Sequence, residues 1–154
     1  MTLATRNEVI QAVFSRISSQ TFVDPGDVMT ATTWVTKSRR LKLFSDVPPA
    51  AQPAMYVVEH NEQYNGRNRS TPRRGELTGS VFCYARTDGE QIGGAIINVM
   101  MDAVEAAFAP DNGDGACTLG GIVSWAYIDG QVFKDPGDID NQAMLIVPFR
   151  VMIP

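Results

Sequence analysis

Apolar residues recur along the chain in two different periods, and these periods predict helices in some segments and strands in others. Helical spacing follows Asn7, which we expect to cap a first helix that ends at Ser18. A wider apolar stripe starts near Gly93 or Gly94 and runs to Phe108, with polar side chains on the opposite side. The pattern therefore predicts two amphipathic helices, each with one face packed against the rest of the fold.

Alternating segments between the helices predict part of a sheet. Residues 54–60 and 76–86 have the pattern of a β-hairpin with a long polar loop, and a weaker strand is expected over the threonine-rich residues 30–36. Between the weak strand and the hairpin, residues 45–53 contain three prolines. Because proline fixes φ and lacks an N–H donor, we expect this segment to be a rigid connector that is neither helix nor strand.

The last third of the chain predicts two more strands, over 122–128 and 143–153. Pro148 lies inside the second one, and since proline cannot donate to a ladder, we expect an edge strand or a bulge there. An apolar edge strand needs cover in a soluble protein. We therefore expect a partner to cover it, and the outward-facing Met144 and Met152 are candidate assembly contacts.

The order of these elements predicts an α+β fold, with a mainly antiparallel sheet of four to five strands flanked by two helices. A chain of 154 residues has the length of one domain, so we expect residues 1–154 to form a single domain. Hydrophobic residues make up 44% of it and charged residues 19%, which excludes general disorder.

Charge, targeting signals and cysteines narrow the function classes. Because its net charge is −4, the molecule as a whole is not electrostatically attracted to nucleic acid. The N-terminus lacks a signal-peptide pattern and no apolar run reaches membrane-spanning length, so we expect a protein made and kept in a cytoplasm. Cys83 and Cys117 form no CxxC motif, and Cys83, within an apolar strand, is expected to be a buried structural thiol.

A long basic loop over 62–76, between the hairpin strands, is the most unusual surface feature of the sequence. Its candidate contact residues are Arg67, Arg69, Arg73 and Arg74. Such a loop can simply be solvated, but guanidinium groups also suit an acidic partner or phosphates. In an acidic protein this clustering implies surfaces of opposite charge, which suit head-to-tail self-association. A second basic segment contains Lys37, Arg39, Arg40 and Lys42.

Residues that could carry catalysis or bind a metal are few. His60 is the one histidine, and alone it supports neither a catalytic triad nor a zinc site. The DNGDG run at 111–115 lacks the oxygen-ligand spacing of an EF-hand and predicts a turn, and the acidic cluster at 135–141 is interpreted as a solvated turn rather than a cation site. We expect no enzyme, cofactor or metal; the alternative is a small enzyme or ligand-binding domain with a cleft near His60, Trp125 and Tyr127.

Four segments, taken in order, resemble the tail terminator, or tail completion, proteins of long-tailed phages and prophages. They are RRLKLFSDVPPAAQPAMYVVEHNEQY, GSVFCYART, IINVMMDAVEAAF and LGGIVSWAYIDGQVFKDPGDIDNQAMLIVPFRVMIP. The resemblance covers residues 39–154. Its most specific parts are SDVPPAAQPA and the LGG, DPGD and IVP sequence of the ending, which are architectural rather than catalytic.

The resemblance implies a small α+β subunit that forms a closed ring, usually a hexamer, on the last ring of the tail tube. Such a ring stops tube polymerisation and presents the surface that joins the head. The implied partners are further copies of the chain, the tail tube protein and a head–tail connector or stopper protein, with the DNA in the lumen as a passing contact and no membrane. The implied location is the tail or neck of a virion assembled in the host cytoplasm. The loop at 62–76 matches the family's assembly loop, and another neck component is the alternative.

Overall fold

A computed structural model describes residues 3–23, 31–64, 75–87 and 93–153 of the chain. In chain order these residues form α1 (Arg6–Ser18), β1 (Phe22–Val23), β2 (Ala31–Thr32), β3 (Thr36–Ser38), β4 (Ala54–Tyr64), β5 (Gly75–Arg86), α2 (Gly93–Ala107), β6 (Ala126–Ile128), β7 (Phe133–Asp135) and β8 (Gln142–Met152). Two short 3₁₀ turns, Phe44–Asp46 and Pro49–Ala51, precede β4.

Six of the strands form one mixed sheet, in the order β3-β4-β5-β8, with both β6 and β7 paired to the far side of β8. The β3–β4 pair is parallel and the other pairs are antiparallel. Strands β1 and β2 pair separately. The α+β prediction with a mainly antiparallel sheet and two helices is confirmed, with six strands in the main sheet rather than four or five.

The two helices pack on one face of the sheet and bury the main core against it. Apolar residues of α1 and α2 form one cluster with residues of β4, β5 and β8, and among the largest fully buried members are Ile10, Ile17, Met55, Ile97, Met100, Leu145 and Phe149. A smaller cluster on the opposite face contains Phe44, Val47, Ala54, Tyr56 and Tyr84. Both faces of the sheet centre are thus apolar, but only one is covered by helices.

Helix α1 begins two residues earlier than its sequence suggested, because Thr5 and not Asn7 is its N-cap. The Thr5 hydroxyl accepts a hydrogen bond from the Glu8 N–H at 3.2 Å, and the Glu8 carboxylate accepts one from the Thr5 N–H at 2.6 Å. This reciprocal pair satisfies two otherwise free donors at the helix start. Asn7 instead accepts a hydrogen bond from Arg39.

The hairpin of β4 and β5 is confirmed, and it is longer than predicted. β4 continues four residues beyond residue 60, and its register against β5 shifts between Glu59 and Asn61. The predicted strand over 30–36 is wrong as a single element, since β2 and β3 each contain only part of it. The connector over 45–53 contains the second 3₁₀ turn and all but the first residue of the first one, although it was expected to contain no helix. Pro49, at the first position of the second turn, already has a suitable φ.

The predicted strand over 122–128 is correct only for its last three residues. Leu119, Gly120 and Gly121 all have positive φ, between 52° and 90°. The N–H groups of residues 121, 122 and 123 converge on the carbonyl of Thr118. This turn occupies the residues that the alternating pattern assigned to a strand, so β6 begins only at Ala126.

Strand β8 lies inside the sheet and not at its edge. β5 pairs along its whole length on one side without a register shift, and β6 and β7 cover parts of its other side. The prediction of an edge or a bulge at Pro148 is therefore wrong. Pro148 lies between the β7-paired residues 144–146 and the β6-paired residues 149–151, and its carbonyl accepts the N–H of Asp129 at 3.1 Å.

The position of Pro148 explains how an interior strand contains a proline. In an antiparallel ladder the N and the C=O of one residue point to the same side. The missing N–H of Pro148 therefore faces the gap between its two short partner strands rather than β5. The proline removes no donor that the β5 ladder needs.

Candidate assembly surfaces

The long basic loop over 62–76, called the arginine loop below, has both of its ends on the β4–β5 hairpin. Arg67, Arg69, Arg73 and Arg74 lie outside the described residues, so the prediction for them stays a prediction. The loop's two ends are described: Tyr64 and Gly75 are register partners at the tip of the β4–β5 hairpin. From Glu59 to Tyr64 every residue of β4 is exposed, so this part of the hairpin is accessible to a partner.

Helix α1 holds the tip of the hairpin through Arg6. The Arg6 Nε lies 2.5 Å from Glu62 Oε1, and its Nη2 donates to the Tyr64 hydroxyl. The hydrogen bond and charge of Glu62 raise the pKa of Arg6 above its ordinary value, so the guanidinium stays charged. Both side chains are partly exposed, which makes the pair a positioning contact rather than a large source of stability.

Met144 and Met152 lie on the face of β8 that points away from the helices, and both are half-buried. Met144 packs against the small second core cluster. Met152 pairs with Glu76 of β5, and its N–H donates to the Trp125 carbonyl at 3.0 Å. Both methionines thus lie half-buried on the helix-free face, and their role as assembly contacts stays a prediction. The two methionines were expected to be contacts because β8 was predicted to be an edge strand that a partner covers. That reason is wrong, because β6 and β7 of the same chain pair with β8.

A charged group lies on the helix-free face toward the end of β8. Arg150 of β8 lies 3.1 Å from Glu76 of β5 and 2.6 Å from Asp129, which follows β6. Tyr127 is the register partner of Arg150, and its ring centroid lies 4.8 Å from that of Trp125. This part of the face is polar and aromatic, so it differs from the apolar face under the helices.

His60, Trp125 and Tyr127, which the alternative of an enzyme or ligand-binding domain placed around one cleft, do not lie together in the fold. Tyr127, Arg150, Thr78 and Asn61 form one row across four strands. The row spans three strand spacings, roughly 14 Å. His60 adjoins the far end of it and donates to or accepts from Ser80 at 2.8 Å, in the region of the bulge. His60 is therefore separated from the Trp125–Tyr127 pair by the width of two strands.

A polar cavity of about 380 Å³ lies beside the bulge, between the start of α1 and β4. It is lined by Arg6, Asn7, Arg39, Glu59, His60, Asn61, Glu62 and Leu77. Its charges are already paired within the chain, by Arg6 with Glu62 and by Arg39 with Glu59 at 3.8 Å. In the described ranges, no group of three His, Cys, Asp or Glu side chains is arranged to hold a metal ion.

Asp111 organises the loop that joins α2 to β6. Its carboxylate accepts from the N–H groups of Thr118, at 2.6 Å, and Gly120, at 2.9 Å, and it lies 3.0 Å from the guanidinium of Arg16 on α1. These backbone donors, with Arg16 as a smaller cause, lower the pKa of Asp111 to about 2. Asn112 caps the same turn by accepting from two backbone N–H groups, which confirms that the DNGDG run is a turn.

Both cysteines are buried and free. Burial raises the pKa of the Cys83 thiol above its ordinary value, which confirms the prediction that Cys83 is a structural residue of the core. Cys117 Sγ lies 3.1 Å from Arg16 Nη1, within the contacts of the Asp111 loop.

Exposed apolar side chains mark surface that the sequence reasoning missed. Nine large hydrophobic residues are exposed in the described part of the chain: Leu3, Val23, Val35, Leu41, Leu43, Tyr64, Tyr127, Phe133 and Ile139. Five of the nine lie in two short segments, 35–43 and 133–139, which include β3 and β7, strands at two opposite edges of the sheet. Residues 41–43 continue from β3 onto the helix-free face, beside Tyr84 of β5. The first segment contains the basic residues of 37–42, and the second overlaps the acidic cluster of 135–140. Only the fold shows that the two segments start at opposite edges of the sheet.

Neither a scan against models of known protein families nor a search of curated protein sequences finds a match to the chain. In the described residues no helix combines the length and apolar character that a membrane crossing requires. The function proposed below therefore rests on the resemblance of the segments over 39–154 and on the geometry of the described residues.

Proposed function

We propose that this protein is the subunit of a ring at the head-proximal end of a phage tail tube, where it stops tube polymerisation and provides the surface that joins the head. The observation that carries the proposal is the ordered set of segments over 39–154 that resembles tail terminator proteins. A ring of this kind acts by assembly alone, so the proposed role needs no catalytic group.

The described fold supports this role in its general form. A ring subunit needs a rigid body and at least one accessible surface for each neighbour. The helix-covered core supplies the body. The accessible surfaces are the exposed outer half of β4, the helix-free sheet face and the two sheet edges.

The mechanism follows from what stops a growing polymer. The ring must match the tube on one of its faces and must not present the next tube subunit's docking surface on the other. Each contact needs an interface of ordinary size, on the order of 1,000–2,000 Å². We assign the tube or subunit contact to the arginine loop. This loop begins and ends at the tip of the β4–β5 hairpin, beside the exposed outer half of β4. Acidic side chains of a partner can pair with its guanidinium groups.

Tail length after removal of the gene tests the proposal. If the protein ends tube growth, lysates without it contain overlong tubes that carry no heads, and a plasmid copy of the gene restores uniform tails. Tubes of normal length and normal attachment to heads would reject the proposal.

The same experiment separates the nearest alternative, a head–tail joining or stopper protein. Removing such a protein leaves tails of normal length that are detached from filled heads. Electron micrographs of one lysate record both tail length and head attachment, so the two roles give different results in a single preparation.

A further inference from the structure

We propose that the two lateral edges of the sheet bind each other between copies of this chain, the basic edge of one copy against the acidic edge of the next. The surface that we call the basic edge begins at edge strand β3 with Val35 and Lys37. It continues through Arg40, Leu41, Lys42 and Leu43 onto the helix-free face, where the Lys42 carbonyl accepts a hydrogen bond from the Tyr84 hydroxyl at 2.8 Å. The acidic edge consists of Phe133, Asp135, Asp138, Ile139 and Asp140. The expectation of a closed ring rests on the proposed function, whereas the contact itself rests on the charge, exposure and position of these residues.

The topology places these two segments at opposite edges and at the same level. A continuous row of register partners crosses the sheet through Thr36, Ala54, Tyr84, Met144 and Asp135. It spans four strand spacings, about 19 Å. Because the edges are level along the strand direction, copies joined side by side need no shift along the strands. A contact between two different surfaces of this kind closes into a ring when each step is a pure rotation.

The basic edge carries three cations, and the acidic edge carries three carboxylates and one cation, Lys134, which donates to Asn98 on α2. Within the described ranges, no ion pair joins these charges to other residues. Lys37, Arg40 and Lys42 are exposed, and none forms an ion pair with a described carboxylate. Asp138 is exposed on the turn between β7 and β8. Asp135 and Asp140 accept backbone hydrogen bonds from Gly137 and Gln142, which fix their positions without pairing their charge with a described cation.

Apolar side chains accompany the charges on both edges. Leu43 is 70% exposed and Val35 is 56% exposed on the basic edge, while Ile139 is fully exposed and Phe133 is 50% exposed on the acidic edge. Charged residues on edge strands often serve only to prevent aggregation. That purpose does not require exposed leucine, isoleucine and phenylalanine beside them. Apolar residues with charges around them are instead the usual composition of a protein–protein interface.

A second copy of the chain is the occupant that fits, because each edge supplies the charge and the apolar surface that the other lacks. The whole protein carries a net charge of −4, so copies repel one another at long range. Attraction between the edges must therefore be local. It must also weaken with salt, because exposed charges are screened beyond about 8–10 Å at physiological ionic strength.

Charge reversal on each edge tests the inference. The variants are R40E/K42E on the basic edge, D138K/D140K on the acidic edge, and the combination of all four substitutions in one chain. E105K/D114K is the matched control, since Glu105 and Asp114 are exposed near the end of α2 and in the turn after it, past Asn98, where α2 contacts Lys134 of β7, and the charge change equals that of D138K/D140K. D138N/D140N removes the charge but keeps the side-chain acceptors of the turn, in case the lysines disturb it.

Sedimentation measures self-association at about 50 mM and about 500 mM salt, where screening differs strongly. We expect the full-length wild type and the control to associate at low salt, and each double variant to associate at least about tenfold more weakly. An equimolar mixture of the two reversed variants, and the fourfold variant alone, restore association because each recreates opposite charges across the contact. A wild type that is monomeric at both salt concentrations, or reversed variants that associate as the wild type does, would overturn the inference.

Tail length separates this inference from the proposed function. If association depends on the two edges but removal of the gene leaves tails normal, the contact stands and the terminator role fails. If removal gives overlong tails while the edge variants associate and terminate tails as the wild type does, the role stands and this contact fails.

Discussion

At the scale of single residues, Asp111 connects three parts of the chain: the residues after α2, the loop before β6 and the side chain of Arg16 on α1. Its carboxylate is more stable charged in the folded state than in the unfolded chain, because fixed N–H donors and a guanidinium surround it. A folded pKa of about 2 against an ordinary 3.8 means that Asp111 contributes stability above about pH 4. The contribution is lost as the pH falls through about 2.

Substitution of Asp111 by asparagine therefore lowers the free energy of unfolding at pH 7 by about 1–2 kcal/mol, allowing for the partial exposure of Arg16. Urea unfolding measured from pH 7 down to pH 2 shows the difference between wild type and variant shrinking below pH 4. D114N is the control, since Asp114 is exposed in the same turn. A difference that is independent of pH would show that the charge of Asp111 is not what stabilises the loop.

Gly79 is the glycine whose replacement has the clearest cost. A Cβ at this position would lie 2.5 Å from the Val58 carbonyl oxygen and 2.5 Å from a ring carbon of Phe149, so backbone and core would both have to move. We expect G79A to lower the free energy of unfolding by about 1–3 kcal/mol.

Gly94 supplies the matched control for that substitution. A Cβ there meets nothing within 4 Å, and the residue lies in the first turn of α2. Since alanine favours helix, G94A should leave stability unchanged or raise it by up to about 1 kcal/mol. Thermal unfolding of the two variants side by side checks the pair, and equal effects would contradict the close packing described at Gly79.

At the scale of elements, the pairing of β8 predicts different effects of proline at two adjacent positions. The N–H of Val147 faces β5, whereas position 148 faces the gap between β6 and β7. V147P removes a donor from the central ladder and should lower the free energy of unfolding by at least about 2 kcal/mol relative to V147A.

P148A restores an N–H where the β5 ladder does not need one, and it removes a half-buried proline ring that lies close to Gly130. Its effect should stay below about 1 kcal/mol. Chemical denaturation of V147P, V147A and P148A measures all three changes. If P148A costs as much stability as V147P, the placement of Pro148 in the gap is wrong.

The long periodic elements were predictable because burial on a helix or strand face leaves a direct signal in the sequence. β4, β5, β8 and α2 all lie where the pattern placed them, with bounds that differ by a few residues. The pattern was wrong where local backbone geometry overrides it. Positive φ at residues 119–121 forms a turn that delays the strand predicted from residue 122 until residue 126, and the gap between two short partner strands allows a proline inside the sheet.

The candidate surfaces were predictable only in part. The basic segment at 37–42 and the acidic cluster at 135–140 are visible in the sequence, but nothing local shows that they form opposite edges at one level. That relation depends on strand order, which long-range pairing of β3 with β4 and of β7 with β8 decides. The four arginines of the loop belong to residues that the structure does not describe, so their contact role remains a prediction from sequence.

At the scale of the whole molecule, the arginine loop can be removed without breaking the hairpin that carries it. Deletion of residues 67–74 would join Asn65-Gly66 to Gly75, and Asn-Gly is the favoured two-residue turn for strands paired as Tyr64 and Gly75 are. We expect a folded protein, by circular dichroism, that no longer restores normal tail length when it is supplied to the gene-deleted strain.

A fourfold R67S/R69S/R73S/R74S variant is the companion to that deletion, because it keeps loop length and removes only the charge. Normal tail length with both variants would exclude the loop from the tube or subunit contact, whereas failure of the deletion alone would assign the role to the length of the loop and not to its arginines.

Tube growth in an extract of the gene-deleted strain tests the central claim most directly. Purified protein is added before tail assembly starts, and tube lengths are measured on electron micrographs. We predict overlong tubes without the protein and, with increasing protein, a shift to one uniform length with the protein bound at one end. Tube lengths that do not depend on the added protein would contradict the proposed role in ending tube polymerisation.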